Sequence, residues 1–304
     1  MSNTKKILII GSEGFIGNNL IEFYLQHNNE VWGCDLNMPI KNKYHFLKND
    51  FTPNFWNQLF DINHFDYCVN AGGKSNVNES FENPAADFEA NVIETYKILD
   101  AIRKFNKDCK YLHISSAAVY GNPELLPINE NAPCNPLSPY GWHKLLSEKI
   151  CEEFNKLYNL SITIIRPFSV YGPGLKKQLF WDVYQKYKIN SSEIELWGSG
   201  NETRDYIYID DIVSLIDFLL INSAMMGDVF NVGSGVEFSI TEAISFFFES
   251  FEKKPILNFN GKQKAGNPIY WKADISKINS LGFQHKTNFY KGILQTAEWL
   301  KLNG

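Results

Sequence analysis

A tyrosine and a lysine four positions apart are the residues of this chain best suited to move a proton. Tyr140 and Lys144 lie in Tyr-Gly-Trp-His-Lys, just after two prolines, where a helix is expected to begin. Residues i and i+4 share one face of a helix, so the ammonium can lie beside the phenol. A free phenol has a pKa near ~10, and a neighbouring positive charge lowers it. The spacing therefore predicts a phenolate base that acts on a hydroxyl group.

Tyr-x-x-x-Lys alone is common in helices, and the alternative for Tyr140 is an aromatic residue on a helix surface. A second feature strengthens the pattern, because Ser116 ends an apolar strand 24 residues before the tyrosine. Its hydroxyl is placed to hydrogen-bond the reacting group. His143 lies inside the motif but away from the Tyr140 face, and we interpret it as a packing residue.

A glycine-rich turn near the N-terminus predicts a phosphate-binding site. Gly11, Gly14 and Gly17 follow the apolar run Ile7–Ile10 and open a helical pattern. Glycines let the turn tighten and let a pyrophosphate approach the helix N-terminus. Asp35 ends the next strand, where a carboxylate can accept both ribose hydroxyls and repel a 2′-phosphate, which favours NAD over NADP. The alternative for Asp35 is a turn or cap residue.

The elements that must position these residues alternate in type. The first half of the chain predicts strands at 7–10, 31–34, 67–69, 111–114 and 162–165, with helices at 15–27, 84–105 and 138–157. This predicts an α/β fold, a Rossmann-type doubly wound parallel sheet with a smaller C-terminal α/β substrate lobe. We expect an NAD-binding domain at 1–168, to which segments near 205–232 return, and a nucleotide-sugar-binding lobe mainly at 169–304.

Later in the chain the patterns are shorter and less regular. They predict strands at 193–197, 229–232 and 255–259 and helices at 176–188, 209–222, 239–253 and 288–302.

Composition excludes several classes of protein. A net charge of −5 without a basic tract argues against nucleic acid as the main partner. Five widely spaced cysteines without a C-x-x-C pair argue against a disulfide framework and a thiolate zinc site, and the histidines show no ligand spacing. We therefore expect no metal and a reduced, cytoplasmic location. The first apolar run is too short for a signal peptide or a membrane span.

Nine short segments together resemble the extended short-chain dehydrogenase/reductase family, specifically its NAD-dependent nucleotide-sugar epimerases and dehydratases, with UDP-glucose 4-epimerase-like members as the closest group. The resemblance covers nearly the whole chain and keeps the family order. The segments are Gly11–Gly17, Asn49–Phe51, Asn70–Lys74, Asp87–Val92, Ser115–Gly121, Tyr140–Lys144, Arg166–Gly174, Arg204–Asp211 and Asn231–Gly235.

The resemblance implies a cofactor site, a substrate site and three catalytic residues. The implied catalytic residues are Ser116, Tyr140 and Lys144. The implied NAD-binding residues are Gly11, Gly14, Phe15, Ile16, Gly17, Asp35, Asp50, Phe51, Ala71, Gly72, Lys74, Asn91, Tyr140, Lys144 and Phe168. The implied substrate-binding residues are Ser116, Ser169, Arg204 and Lys264.

Some of these residues have further implied roles or open alternatives. Asp50 and Phe51 would contact the adenine, whereas Lys74 is, without the family, an exposed loop lysine. Arg204 would hold the substrate diphosphate, and its alternative is a surface ion pair with a neighbouring acid. Lys264 stands where many relatives carry a second phosphate-binding arginine.

Departures from the family pattern narrow the implied chemistry. Ala117 and Ala118 stand where the dehydratases carry an Asp-Glu pair, and Gly174 stands where another branch uses a histidine. The implied reaction is C4 epimerisation of a nucleotide-diphosphate sugar: transient oxidation by hydride transfer to bound NAD with Tyr140 as base, then re-reduction on the other face. The alternatives are a 4-ketoreductase or dehydrogenase on this scaffold, and a non-catalytic NAD-binding protein. By analogy we expect a homodimer built from the helices at 84–105 and 138–157.

Overall fold

The computed structural model describes residues 4–304, except 40–42, 50, 51, 53 and 264. Apolar alternation and continuous apolar runs produce the strands of the described chain. The strands are β1 (Lys6–Ile10), β2 (Glu30–Asp35), β3 (His45–Lys48), β4 (Tyr67–Asn70), β5 (Lys110–Ile114), β6 (Ile162–Pro167), β7 (Ser169–Tyr171), β8 (Glu193–Leu196), β9 (Thr203–Tyr208), β10 (Met226–Val232), β11 (Glu237–Ser239) and β12 (Ile256–Phe259).

Helices connect most of these strands. They are α1 (Phe15–Gln26), α2 (Phe55–Ile62), α3 (Val77–Glu82), α4 (Pro84–Phe88), α5 (Glu94–Phe105), α6 (Pro139–Tyr158), α7 (Gln178–Ile189), α8 (Ile209–Asn222), α9 (Ile240–Phe248), α10 (Ser276–Ser280) and α11 (Phe289–Asn303). A π-helical turn (Glu89–Ile93) joins α4 to α5, and a 3-10 turn (Ala117–Val119) follows β5.

A seven-stranded sheet forms the centre of the fold, in the order β10-β6-β5-β4-β1-β2-β3. Neighbouring strands from β3 to β6 pair in parallel. The chain turns back at β1, which pairs with β2 on one side and β4 on the other, and this is the switch point at which doubly wound sheets bind ligands. The sheet confirms the predicted α/β, Rossmann-type class.

The chain divides into two compact units. Unit 1 contains residues 1–119, 138–166 and 213–230, and unit 2 contains 120–137, 167–212 and 231–304. In unit 1, α2, α5 and α6 bury apolar side chains against sheet residues such as Leu8, Cys68 and Ile162. Burial of this apolar surface is the main force that holds these layers together.

Unit 2 has smaller sheets and a core rich in aromatic rings. Its strands form a three-stranded sheet, β11-β9-β7, and a two-stranded sheet, β12-β8. Phe289 lies at the centre of the aromatic cluster, with its ring 4.9 Å from that of Tyr206 and 5.3 Å from that of Tyr171. Many of the aromatic residues in this half of the chain therefore build this core.

Several short elements were not predicted, among them α2, α3, β7, β11 and α10. Three further differences have local physical reasons. The helix predicted at 84–105 is interrupted by the π-helical turn, which hydrophobic periodicity does not reveal. β3 was not predicted because it is an edge strand with only half-buried or exposed residues. β9 was not predicted because Arg204 and Asp205 interrupt its apolar pattern.

The described residues contain no helix long and apolar enough to cross a membrane. In the same part of the chain, no group of three or more His, Cys, Asp or Glu side chains is arranged to hold a metal ion.

Candidate active site

The first turn of α6 holds the predicted base. Ser138 caps the helix by accepting a hydrogen bond from the Gly141 amide at 3.1 Å, and Pro139 occupies the first turn, where its missing N–H has no cost. The Tyr140 amide donates to the Ser80 hydroxyl at 3.1 Å. These contacts fix where α6 starts and hence where the phenol lies.

Lys144 lies one turn further along the same face. It is buried, and its Nζ donates to the Ile114 carbonyl at 2.9 Å, at the carboxyl end of β5. The Ser116 hydroxyl, two residues beyond that strand, lies beside the Tyr140 phenol, whose pKa it lowers, and accepts from the Ala118 amide at 3.1 Å. The structure therefore brings Ser116, Tyr140 and Lys144 together at one edge of the unit 1 sheet.

Burial dominates the proton affinities of this group. Burial raises the pKa of Tyr140 to about 12, while the Ser116 hydrogen bond lowers it and the Asp87 carboxylate raises it. Burial also lowers the pKa of Lys144 to about 8, against the raising effects of Asp87, Cys151 and Glu148. The side chains of the protein alone thus keep the phenol protonated near neutral pH, and the base requires further positive charge beside it.

The glycine-rich turn after β1 is built without room for side chains. Gly11 has a φ of +78°, and a Cβ there would lie 2.7 Å from the Ala71 carbonyl oxygen. A Cβ on Gly17 would lie 2.0 Å from the Gly11 oxygen. Both glycines are therefore required for the turn to pack against α1 and the loop after β4.

The N-terminus of α1 is suited to an anion. Gly14 is its N-cap and makes no side-chain cap hydrogen bond, and the first turn carries no acidic residue. The amides of Phe15, Ile16 and Gly17 thus belong to the helix positions that lack intrahelical partners. This donor set fits the diphosphate of a dinucleotide.

Asp35 lies at the end of β2, as predicted. Its Oδ2 accepts from the Glu13 amide at 3.0 Å, and its Oδ1 accepts from the Asn37 amide at 3.0 Å. Each carboxylate oxygen has a second lone pair, so the group can still accept ribose hydroxyls. The turn, the helix start and this carboxylate together fit NAD.

The loop after β4 is held by backbone and side-chain hydrogen bonds. The Ala71 amide donates to the Ile10 carbonyl at 2.9 Å, and the Gly72 amide donates to Asn70 Oδ1 at 3.1 Å. Asn91, in the π-helical turn, donates from Nδ2 to the Lys74 carbonyl at 3.1 Å. The Asn91 side chain therefore holds the loop after β4 by a hydrogen bond to the main chain of the loop. The predicted adenine contacts, Asp50 and Phe51, lie outside the described residues.

In unit 2, Trp271 joins two of the predicted residues. Its ring centroid lies 5.6 Å from that of Phe168, and the Arg204 guanidinium lies 5.7 Å from its centroid. Ser169 opens β7, opposite Tyr206 of β9. The predicted substrate residue Lys264 lies outside the described residues.

Sequence reasoning missed several residues around the active site. His143 Nδ1 lies 2.6 Å from Asp87 Oδ1, although the sequence suggested only packing for this histidine. Glu148 forms a buried ion pair with Arg166. The regular four-residue spacing of Tyr140, Lys144 and Glu148 was the available signal for Glu148. Asp87 was recognised only as the first residue of a family segment, and no local signal marks Trp271.

Comparison with known proteins decides the family. Residues 7–233 match the family model described as the NAD dependent epimerase/dehydratase family. The chain belongs to this family. The match confirms the family that the motifs resembled and NAD as its cofactor, and it makes the chain an NAD-dependent enzyme of the epimerase class.

Individual relatives agree over nearly their full lengths. A putative UDP-glucose 4-epimerase of Methanocaldococcus jannaschii is 30% identical over 98% of this chain and 99% of its own. A UDP-glucuronate 4-epimerase of Thermodesulfobacterium geofontis is 27% identical over 97% of this chain and 96% of its own. The crystal structure of the UDP-glucuronic acid 4-epimerase from Bacillus cereus, with UDP-glucuronic acid and NAD, has a TM-score of 0.89 at 26% identity and covers 98% of this chain and 99% of that one.

Proposed function

We propose that this chain is an NAD-dependent nucleotide-sugar 4-epimerase in which Tyr140 is the catalytic base. The observation that carries the proposal is the convergence of Ser116, Tyr140 and Lys144 beside a 3-10 turn that contains no acid. That turn holds Ala117 and Ala118, which cannot move a proton. The site thus has one proton-transfer group at one carbon, as epimerisation by oxidation and re-reduction requires.

The chain's own residues divide the work at the reacting hydroxyl. Ser116 and Tyr140 hydrogen-bond the hydroxyl, Tyr140 takes up its proton and later returns it, and Lys144 keeps positive charge near the phenol. When bound, NAD⁺ supplies a hydride acceptor and a cationic ring whose charge favours the phenolate. Because burial raises the pKa of Tyr140 to about 12, that added charge is essential for a base at neutral pH.

We propose a nucleotide-diphosphate sugar as the substrate and Arg204 as its diphosphate ligand. A guanidinium has five donors in a fixed fork, which suits phosphate oxygens. Arg204 Nη1 donates to the Thr203 carbonyl at 2.7 Å, which holds the guanidinium at the Trp271 ring. The UDP-sugar epimerases among the relatives support UDP as the nucleotide.

The test is a substrate screen without added cofactor. Purified protein is incubated with UDP-, GDP- and dTDP-sugars, and the products are followed by NMR. We expect an inverted C4 centre at catalytic turnover. Accumulation of NADH in proportion to enzyme, with no isomer formed, would refute epimerisation and favour the alternative of a one-way dehydrogenase or ketoreductase.

A pair of matched variants tests the base. Tyr140→Phe should lower kcat about 10²–10⁴-fold and leave NAD bound, because general-base catalysis contributes roughly that much. Tyr158→Phe removes a hydroxyl from the other end of the same helix and should leave turnover unchanged. Equal turnover in the two variants would rule out Tyr140 as the base.

We propose further that the enzyme is a cytoplasmic homodimer that pairs through α5 and α6. These helices expose large apolar side chains, with Tyr96 46%, Trp142 51% and Leu146 41% exposed. Trp142→Glu should yield monomers in light scattering after size exclusion, whereas Ile189→Glu, at another exposed apolar site, should not. A monomeric wild type would contradict the dimer.

The five free cysteines support a reducing compartment, as expected for a cytoplasmic protein.

A further inference from the structure

A fully buried acid lies behind the catalytic pair. Asp87, in α4, has no exposed surface, and its Oδ1 lies 2.6 Å from His143 Nδ1 and accepts from Asn91 Nδ2 at 3.2 Å. Its Oδ2 is also buried and has no hydrogen-bond partner among the described residues. A carboxylate is rarely buried unless other groups compensate its charge, so this arrangement requires a reason.

The contact between Asp87 and His143 joins α4 to α6, the helix that carries Tyr140 and Lys144. His143 lies on α6, in the turn between Tyr140 and Lys144, and its ring lies 5.3 Å from that of Phe88 in α4. Asn91 lies in the π-helical turn and also donates to the Asp87 carbonyl at 3.1 Å. Asp87 is therefore held from two sides and cannot turn away from α6.

We propose that Asp87, clamped by His143 and Asn91, is a positioning residue that acts on the catalytic phenol through its charge. The inference rests on the proposed function only in taking Tyr140 as the base. A fixed negative charge stabilises the protonated form of every group near it. The negative charge of Asp87 thus disfavours the phenolate form of Tyr140 and favours the protonated, charged form of Lys144. The phenolate therefore forms when positive charge lies beside it.

The other charged groups around Asp87 do not duplicate its effect on Tyr140. From α6 it is faced by Tyr140, His143 and Lys144. The acids of α3, Glu79 and Glu82, are exposed and hence screened by solvent. In the π-helical turn, Glu89 is exposed and pairs with Lys97 at 3.2 Å. On α6, Glu148 pairs with Arg166 at 2.7 Å and also raises the pKa of Lys144.

The test titrates the phenol directly and needs no substrate. The full chain is loaded with NAD, and phenolate formation is followed by near-ultraviolet absorption as the pH rises. Subtracting the curve of a Tyr140→Phe variant isolates this phenol among the 15 tyrosines. The same difference is measured in an Asp87→Asn background and in a Glu94→Gln background. Glu94, in α5, is the control, because it is also buried but its charge is paired with Lys97 at 2.8 Å, and it accepts from Trp56 Nε1 at 2.7 Å.

We expect the midpoint for Tyr140 to fall by about one pH unit in Asp87→Asn, because the charge of Asp87 raises the pKa of this phenol and a nearby charge shifts a pKa by ~1–3 units. Glu94→Gln should leave the midpoint unchanged. An unchanged or higher midpoint in Asp87→Asn, or an equal fall in Glu94→Gln, would overturn the proposal. If Asp87→Asn does not fold, Asp87→Ser is judged by the same outcomes. A failed substrate screen with a shifted midpoint would refute the epimerase and leave the role of Asp87 standing.

Discussion

Replacing Glu148 by glutamine should destabilise the protein far more than the same change at Glu152, on the same helix. The buried Glu148 carboxylate accepts from Ser115 Oγ at 2.5 Å and from Arg166 Nε and Nη2 at 2.9 and 2.7 Å. Glutamine removes the charge and turns an amide donor toward the guanidinium. Arg166, with a side chain only 7% exposed, would then lose the negative charge of Glu148 that compensates its own. Breaking a buried pair in this way costs about 3–5 kcal/mol.

Glu152 is the matched control, since it accepts from Lys149 at 2.8 Å and from Lys156 at 2.5 Å but is 40% exposed. The two lysines lower the pKa of Glu152 to about 2, yet solvent screens such pairs, so the loss should stay below ~1 kcal/mol. Urea unfolding followed by circular dichroism gives both values from the change in midpoint at a common m-value. A loss at Glu148 no larger than that at Glu152 would refute the reasoning.

Two further changes test the site. Burial lowers the pKa of Lys144 to about 8 in the folded protein. Between about pH 8 and 10.5 the unfolded chain therefore binds a proton at this lysine more readily than the folded protein does. Lys144 thus makes the free energy of unfolding rise with pH in this range. Lys144→Met should flatten that rise in urea unfolding measured across the range, and an unaltered slope would contradict the assignment. Gly17→Ala should release NAD, because the Cβ of the new alanine would lie 2.0 Å from the Gly11 oxygen and disrupt the glycine-rich turn. Full retention of the cofactor in the purified variant would argue against a close-packed turn at this position.

The sequence predicts best those elements and site residues whose signals lie within a few residues of one another along the chain. The run Ile7–Ile10 and the glycines after it determine β1, the turn and the start of α1 within a few residues. Tyr140 and Lys144 lie together because α6 begins as its capping serine and first-turn proline dictate. Ser116 joins them because strand ends of a parallel sheet share one edge, which fold class alone implies.

The remaining contacts depend on tertiary register. Asp87 and His143 are 56 positions apart and meet only because α4 packs on α6 and the π-helical turn redirects the chain. In unit 2, Asp205 is buried and accepts from the amides of Ser234, Gly235 and Ala273. Periodicity predicts that a position is buried but not which polar group it meets there, so these partners required the structure.

The two faces of α6 differ in how freely their residues can be substituted. Tyr140, Lys144 and Glu148 repeat every fourth residue and are buried, each tied to a strand end or its loop, so substitutions among them should be strongly non-additive. Trp142 and Leu146 are exposed, so the effects of changes there should add to those of other changes independently. The proposed dimer surface of α6 can thus change without altering the proposed catalytic side of the same helix.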